Sequence, residues 1–128
     1  MIEAVVDTSV LIARETGRSV DTRSLPDGLA VSVVTIGELR VGVLAAEDVD
    51  IRDRRLSTLV GALSLDPLPV DLAVAEAWAR LRQELLVRGR RMPVNDSWIA
   101  ATAIAHGVPV VTQDDDYDDV PGLAVVRV

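Results

Sequence analysis

Several chemistries are excluded by what this 128-residue chain does not contain. There is no cysteine, so a disulfide, a thiolate metal site and a cysteine nucleophile are all ruled out. All 13 basic residues are arginine. Phosphoaspartate chemistry, as in receiver domains and haloacid-dehalogenase-type phosphatases, normally places a lysine beside the phosphoryl group, and there is none. Asp7-Thr8-Ser9 also lacks the second Asp of the phosphatase motif. Aromatic residues make up only 2% of the chain, so the core must be built from Val, Leu, Ile and Ala. The single histidine, His106, falls at the end of a predicted helix, where its charge suits the helix dipole. It leaves Ser9 without a base to activate it as a nucleophile. No apolar run approaches the length of a membrane span, and the N-terminus lacks a basic segment followed by a signal-type apolar core. A cytoplasmic protein that does not enter a membrane is expected.

What is present is enough for one domain, residues 1–128, with 49% hydrophobic residues. The formal net charge is −7, which suits a basic protein partner. Taken alone it argues against a general coat for nucleic acid. Carboxylates gathered around a cation would change what a phosphate meets locally.

The pattern alternates strands and helices. Strands are expected over residues 2–6, 29–34, 108–112 and 123–128, with an edge strand or connector over 65–70, where Pro67 and Pro69 interrupt. Helices are expected over 8–14, 35–46, 48–63, 71–87 and 96–106. Residues 15–28 read as irregular with at most one helical turn. Thr35 and Glu38 fit a capping box, Asp71 and Asn95 fit N-caps, and Gly107 fits a helix stop. The expected fold is α/β: a central parallel sheet with helices on both faces.

Acidic residues recur where such a fold has its site. Asp7 follows the first strand, Glu38 lies early in the helix after the second, and Asp114 and Asp116 follow the fourth. Strand C-termini and the N-termini of following helices share one sheet edge, so these acids should meet. Asp96 opens the helix before the fourth strand and shares a face with Ile99, Ala100 and Ala103. A carboxylate at the rim of an apolar stripe needs a partner, and a hard divalent cation such as Mg²⁺ would serve. Thr8, Ser9, Asn95 and Thr112 stand beside the acids and could orient ligands or waters. Each acid also has a plain reading: Asp7 as a helix cap, Glu38 as half of a capping box, Asp96 as a dipole partner, and 114–119 as a solvated turn. Trp78 reads as core and Trp98 as core or dimer packing, while Arg88, Arg90 and Arg91 form a basic loop that could meet RNA phosphates.

Four segments together resemble the PIN-domain ribonucleases, and among them the VapC toxins. They are Val5-Val6-Asp7-Thr8-Ser9, Thr35-Ile36-Gly37-Glu38-Leu39, the run from Asn95-Asp96-Ser97-Trp98 to Ala103, and Val111-Thr112-Gln113-Asp114-Asp115-Asp116-Tyr117. The resemblance runs from Asp7 to the C-terminus. It implies a single PIN-like domain, Mg²⁺ or Mn²⁺ dependence, endonucleolytic cleavage of RNA, homodimers and inhibition by a VapB-like antitoxin. Carried over by position, the catalytic acids would be Asp7, Glu38, Asp96 and Asp114. Asp7, Asp96, Asp114 and Asp116 would hold metal, and Glu38 would position or deprotonate the attacking water. Two other readings of the same residues stand beside this: an RNA-processing nuclease without a toxin role, and a non-catalytic module whose acidic cleft receives a basic tail.

Overall fold

The computed structural model describes residues 1–128. Five parallel strands form one sheet in the order β3-β2-β1-β4-β5: β1 Ala4–Val6, β2 Leu29–Ser32, β3 Pro67–Leu68, β4 Val110–Thr112 and β5 Val125–Arg127. Five helices connect them: α1 Thr8–Glu15, α2 Val33–Ala45, α3 Val49–Leu63, α4 Leu72–Val87 and α5 Val94–His106. The parallel α/β architecture is therefore as expected.

β1 lies at the centre because every residue in it is apolar and buried, which is what a strand covered on both faces requires. Its side chains alternate between two cores. Val5 packs with Val110, Ile99, Leu81 and Leu85 on the face covered by α4 and α5. Ala4 and Val6 pack with Val10, Val31 and Val111 on the other face. Leu39, Val43, Leu59 and Ala62 make a smaller core between α2 and α3. Fully burying a side chain of this size contributes about 1.5–3 kcal/mol. The prolines confine β3 to the edge, where only β2 needs its hydrogen bonds.

Two predicted helix starts are corrected. The second helix begins at Val33, and Ser32 caps it by accepting from the Val34 N–H at 3.0 Å. Thr35 is thus inside the helix and there is no capping box with Glu38. Residues 33 and 34 continue the β-branched apolar run, so their composition suggests strand, and the Ser32 cap overrides it. The last helix begins at Val94 after Pro93, not at Asp96, and Asn95 is no cap. Proline there sets φ for helix entry without a side-chain cap. Asp48 and Asp71 cap α3 and α4. Gly107 ends α5 in the left-handed conformation, φ 65°. Gly28 is required for another reason: a Cβ there would stand 2.3 Å from the Met1 carbonyl oxygen. No helix is long and apolar enough to cross a membrane.

The strand order places β1 between β2 and β4. The winding reverses between β1 and β4, so their C-terminal ends mark the switch point of the sheet. Asp7, directly after β1, and Thr112, the last residue of β4, stand at that point.

Candidate active site

Asp7 occupies the N-cap position of α1, yet its side chain makes no capping bond. The residue is 2% exposed, and its carboxylate turns to three hydroxyls instead. Oδ2 accepts from Ser9 Oγ at 2.7 Å and Thr112 Oγ1 at 2.9 Å, and Oδ1 accepts from the Tyr117 hydroxyl at 2.9 Å. The Ser9 and Thr112 hydroxyls in turn accept backbone N–H groups, from Gln113 at 3.2 Å and Asp114 at 2.9 Å. Each hydroxyl therefore ties the loop after β4 to Asp7. This carboxylate is buried and hydrogen-bonded at both oxygens, which sets its rotamer and the position of that loop.

Asp96 lies in the first turn of α5, half-buried. Asp96, Asp114 and Asp116 each bring a carboxylate oxygen to within 4.8 Å of the others. Asp114 also caps the 3-10 turn Asp115–Tyr117, accepting from the Asp116 N–H at 2.9 Å, so turn formation itself aims these two acids. Burial first, then the charge on Asp7, a hydrogen bond with Asp116 and the charges on Asp114 and Asp116, push the Asp96 carboxyl up to about 7. It is a carboxylate held where its neighbours resist its charge. Three oxygen donors without His or Cys fit a hard divalent cation of the Mg²⁺ or Mn²⁺ kind, which would relieve that repulsion.

Tyr117 joins the two acids. It is completely buried, and its hydroxyl lies 2.9 Å from Asp7 Oδ1 and 3.3 Å from Asp96 Oδ1. Burial, followed by those two charges, pushes its ionisation well above the usual phenol range, so it remains a donor. Sequence reasoning gave this residue no role. The available signal was that the chain's single tyrosine directly follows its densest acidic run.

Glu38 stands outside the close set. Its Oε1 accepts from Thr8 Oγ1 at 2.9 Å, and Thr8 Oγ1 lies 3.0 Å from Thr35 Oγ1, also buried and read from the sequence only as a helix cap. Asp7 is likewise not one of the three clustered acids and reaches Asp96 through Tyr117. Asn95 is exposed. Of the acidic turn, Asp115 and Asp118 pair with Arg127 at the surface. Trp78 and Trp98 stack face to face, centroids 4.2 Å apart and planes 3° from parallel. Trp78 is partly exposed and spends its indole N–H on Ser97 Oγ at 3.0 Å. The arginines separate: Arg90 donates to the Asp116 carbonyl at 3.0 Å, whereas Arg88 approaches Glu84 at 3.9 Å. The largest cavity, about 570 Å³ between α1 and α3, contains none of the site acids.

A parallel sheet with clustered carboxylates at its switch point defines a class of acidic-site α/β domains. The model of the PIN domain matches residues 4–123, and the chain belongs to the PIN-domain family. It is 52% identical to ribonuclease VapC5 of Mycobacterium tuberculosis, over 97% of this chain and 92% of that one. It is 48% identical to ribonuclease VapC4 of the same organism, over 98% of this chain and 96% of that one. Among solved structures, a VapBC-5 member of the VapBC toxin–antitoxin family, again from M. tuberculosis, superposes with a TM-score of 0.90 at 46% identity, covering 100% of each chain.

Proposed function

We propose that this chain is a metal-dependent endoribonuclease that acts in the cytoplasm as the toxin of a toxin–antitoxin pair. The observation that carries the reading is the convergence of Asp96, Asp114 and Asp116 within 4.8 Å beside the buried Asp7. The VapC ribonucleases at 52% and 48% identity support it.

Asp96, Asp114 and Asp116 would hold Mg²⁺ or Mn²⁺, with Asp7 contributing through its remaining Oδ1 lone pair or through water. A bound divalent ion supplies a more acidic water and offsets negative charge on the phosphodiester. Glu38 accepts the proton of the attacking water; Thr8 occupies Oε1, which leaves Oε2 for that task. Attack at phosphorus breaks the bond to the 3′ oxygen, which takes a proton from solvent water as it leaves. The products carry a 5′-phosphate and a 3′-hydroxyl. Ser9 and Thr112 keep Asp7 and the loop at 113–114 in place throughout.

A VapB-like antitoxin is the proposed inhibitor, and a homodimer the proposed assembly. Val41 and Leu44 on α2 and Val49, Leu56, Val60 and Leu63 on α3 are exposed, a surface that suits a protein partner. The decisive experiment induces the protein in cells and maps the ends of cleaved RNA. New 5′-phosphate ends and arrested growth are expected with the natural chain, and neither with Asp96→Ala. A natural chain that cleaves no RNA in Mg²⁺ or Mn²⁺ would leave a binding module as the better description.

A further inference from the structure

A second feature lies beside the acids. A cavity of about 340 Å³ is lined by seven residues, three of them arginine (Arg82, Arg90, Arg91) and none acidic. The apolar part of the lining includes Leu85, Met92 and Val94. Arg80 on α4 pairs with Glu76 at 3.2 Å and Arg88, at the C-cap of α4, with Glu84 at 3.9 Å, yet none of the three cavity arginines takes part in an ion pair. In a chain of net charge −7, three uncompensated guanidinium groups sharing one cavity are a concentration of like charge that a bound anion would relieve.

The cavity is also built. The Arg82 guanidinium lies over the Trp78 ring, 5.6 Å from its centroid, and Trp78 is itself clamped by Trp98 and Ser97 of α5. A cation over an aromatic face is positioned without being neutralised. Arg90 donates to the carbonyl of Asp116, one of the three clustered acids, which joins the cavity to the acidic loop. Val94, on the lining, begins the helix that carries Asp96 two residues later. Cationic cavity and acidic cluster therefore adjoin.

We infer that this cavity is a phosphate subsite for the RNA strand: Arg82, Arg90 and Arg91 hold backbone phosphates next to the one placed at the acids. This rests on the nuclease reading and deepens it. The acidic cluster repels every phosphate except one bridged by a cation, so the flanking phosphates need their own positive surface. Arg82 belongs to that surface, and Arg88, which the loop's composition had suggested, does not.

The test uses the whole chain in EDTA, so that nothing is cut, with a fluorescein-labelled single-stranded RNA pool of randomised sequence followed by anisotropy over a salt series. Arg82→Gln and Arg91→Gln should each weaken binding several-fold and lower the slope of log K against log salt by about 0.7 per lost phosphate contact. Arg82→Lys and Arg91→Lys should recover part of it, and Arg80→Gln should bind as the natural chain does. In Mn²⁺ the two Gln variants should raise KM with kcat nearly unchanged. Binding by Arg82→Gln and Arg91→Gln equal to that of Arg80→Gln, with cleavage intact, would overturn the subsite and leave the nuclease standing. A change in mass by light scattering with RNA binding unchanged would overturn it too, making the face a protein contact. A natural chain that neither binds nor cuts the pool would remove both readings.

Discussion

Asp7 and Asp96 share one tyrosine hydroxyl, 2.9 Å from the first and 3.3 Å from the second, and their surroundings are opposite. Asp7 is buried among donors: three hydroxyls reach its two oxygens. Asp96 is half-buried among acids, and its carboxyl is pushed up to about 7. The identity of the side chain therefore says little about its role. A carboxylate supplied with donors is satisfied by them, and one surrounded by its own kind is left with a repulsion that a cation would relieve.

The largest expected effect breaks this comparison at its reactive end. Asp96→Asn should reduce RNA cleavage by more than the roughly 10–100-fold that loss of a merely supporting residue costs. Cleavage at the natural rate would remove Asp96 from the reaction. Thermal unfolding without divalent metal then separates the pair. Asp7→Ala leaves three hydroxyls without their shared acceptor and should cost about 3 kcal/mol, near 10 °C in Tm. Asp96→Asn should raise Tm by a few degrees, about 1 kcal/mol once screening by water at this half-exposed group is allowed for. Shifts of the same sign in the two variants would mean that the contrast is wrong.

The contrast also has a pH signature. The folded Asp96 carboxyl titrates near 7, above its ordinary 3.8. Its contribution to stability is thus complete below about 4 and disappears as pH rises through about 7. Metal-free protein should lose Tm across that window, and Asp96→Asn should lose less. Calorimetry with Mn²⁺ should show affinity rising up to about pH 7, with protons released on binding below it. The smallest effect should come from Tyr117→Phe. It keeps the packing and removes only the hydroxyl between the two acids. Mn²⁺ affinity and cleavage should each fall by up to about 10-fold, with Tm little changed.

Much of the fold was legible because its signals are local. The apolar run ending at Asp7, the cap at Asp71 and the stop at Gly107 all act within a few residues. The capping box at Thr35 misled because its pattern was satisfied by residues inside a helix that Ser32 had already started. At the site, the placing of acids at strand ends and helix starts followed from the order of the elements, though Glu38 stays apart from Asp96, Asp114 and Asp116. Their division of labour did not, since it depends on which neighbours each acid acquires. Tyr117 was invisible as a site residue for the same reason: it lies 110 positions from Asp7 in the chain.

The amino-acid sequence by itself determined the alternation of strands and helices, the supply of acids at one sheet edge and the exclusion of cysteine and lysine chemistry. These follow from periodicity, capping and composition, which need no long-range contact. Only the tertiary structure decided that Asp7 is satisfied by hydroxyls while Asp96, Asp114 and Asp116 converge. It alone set Arg88 near Glu84 and put Arg82 beside Arg90 and Arg91. Burial, repulsion and hydrogen-bond supply are properties of neighbours in space, and folding chooses them.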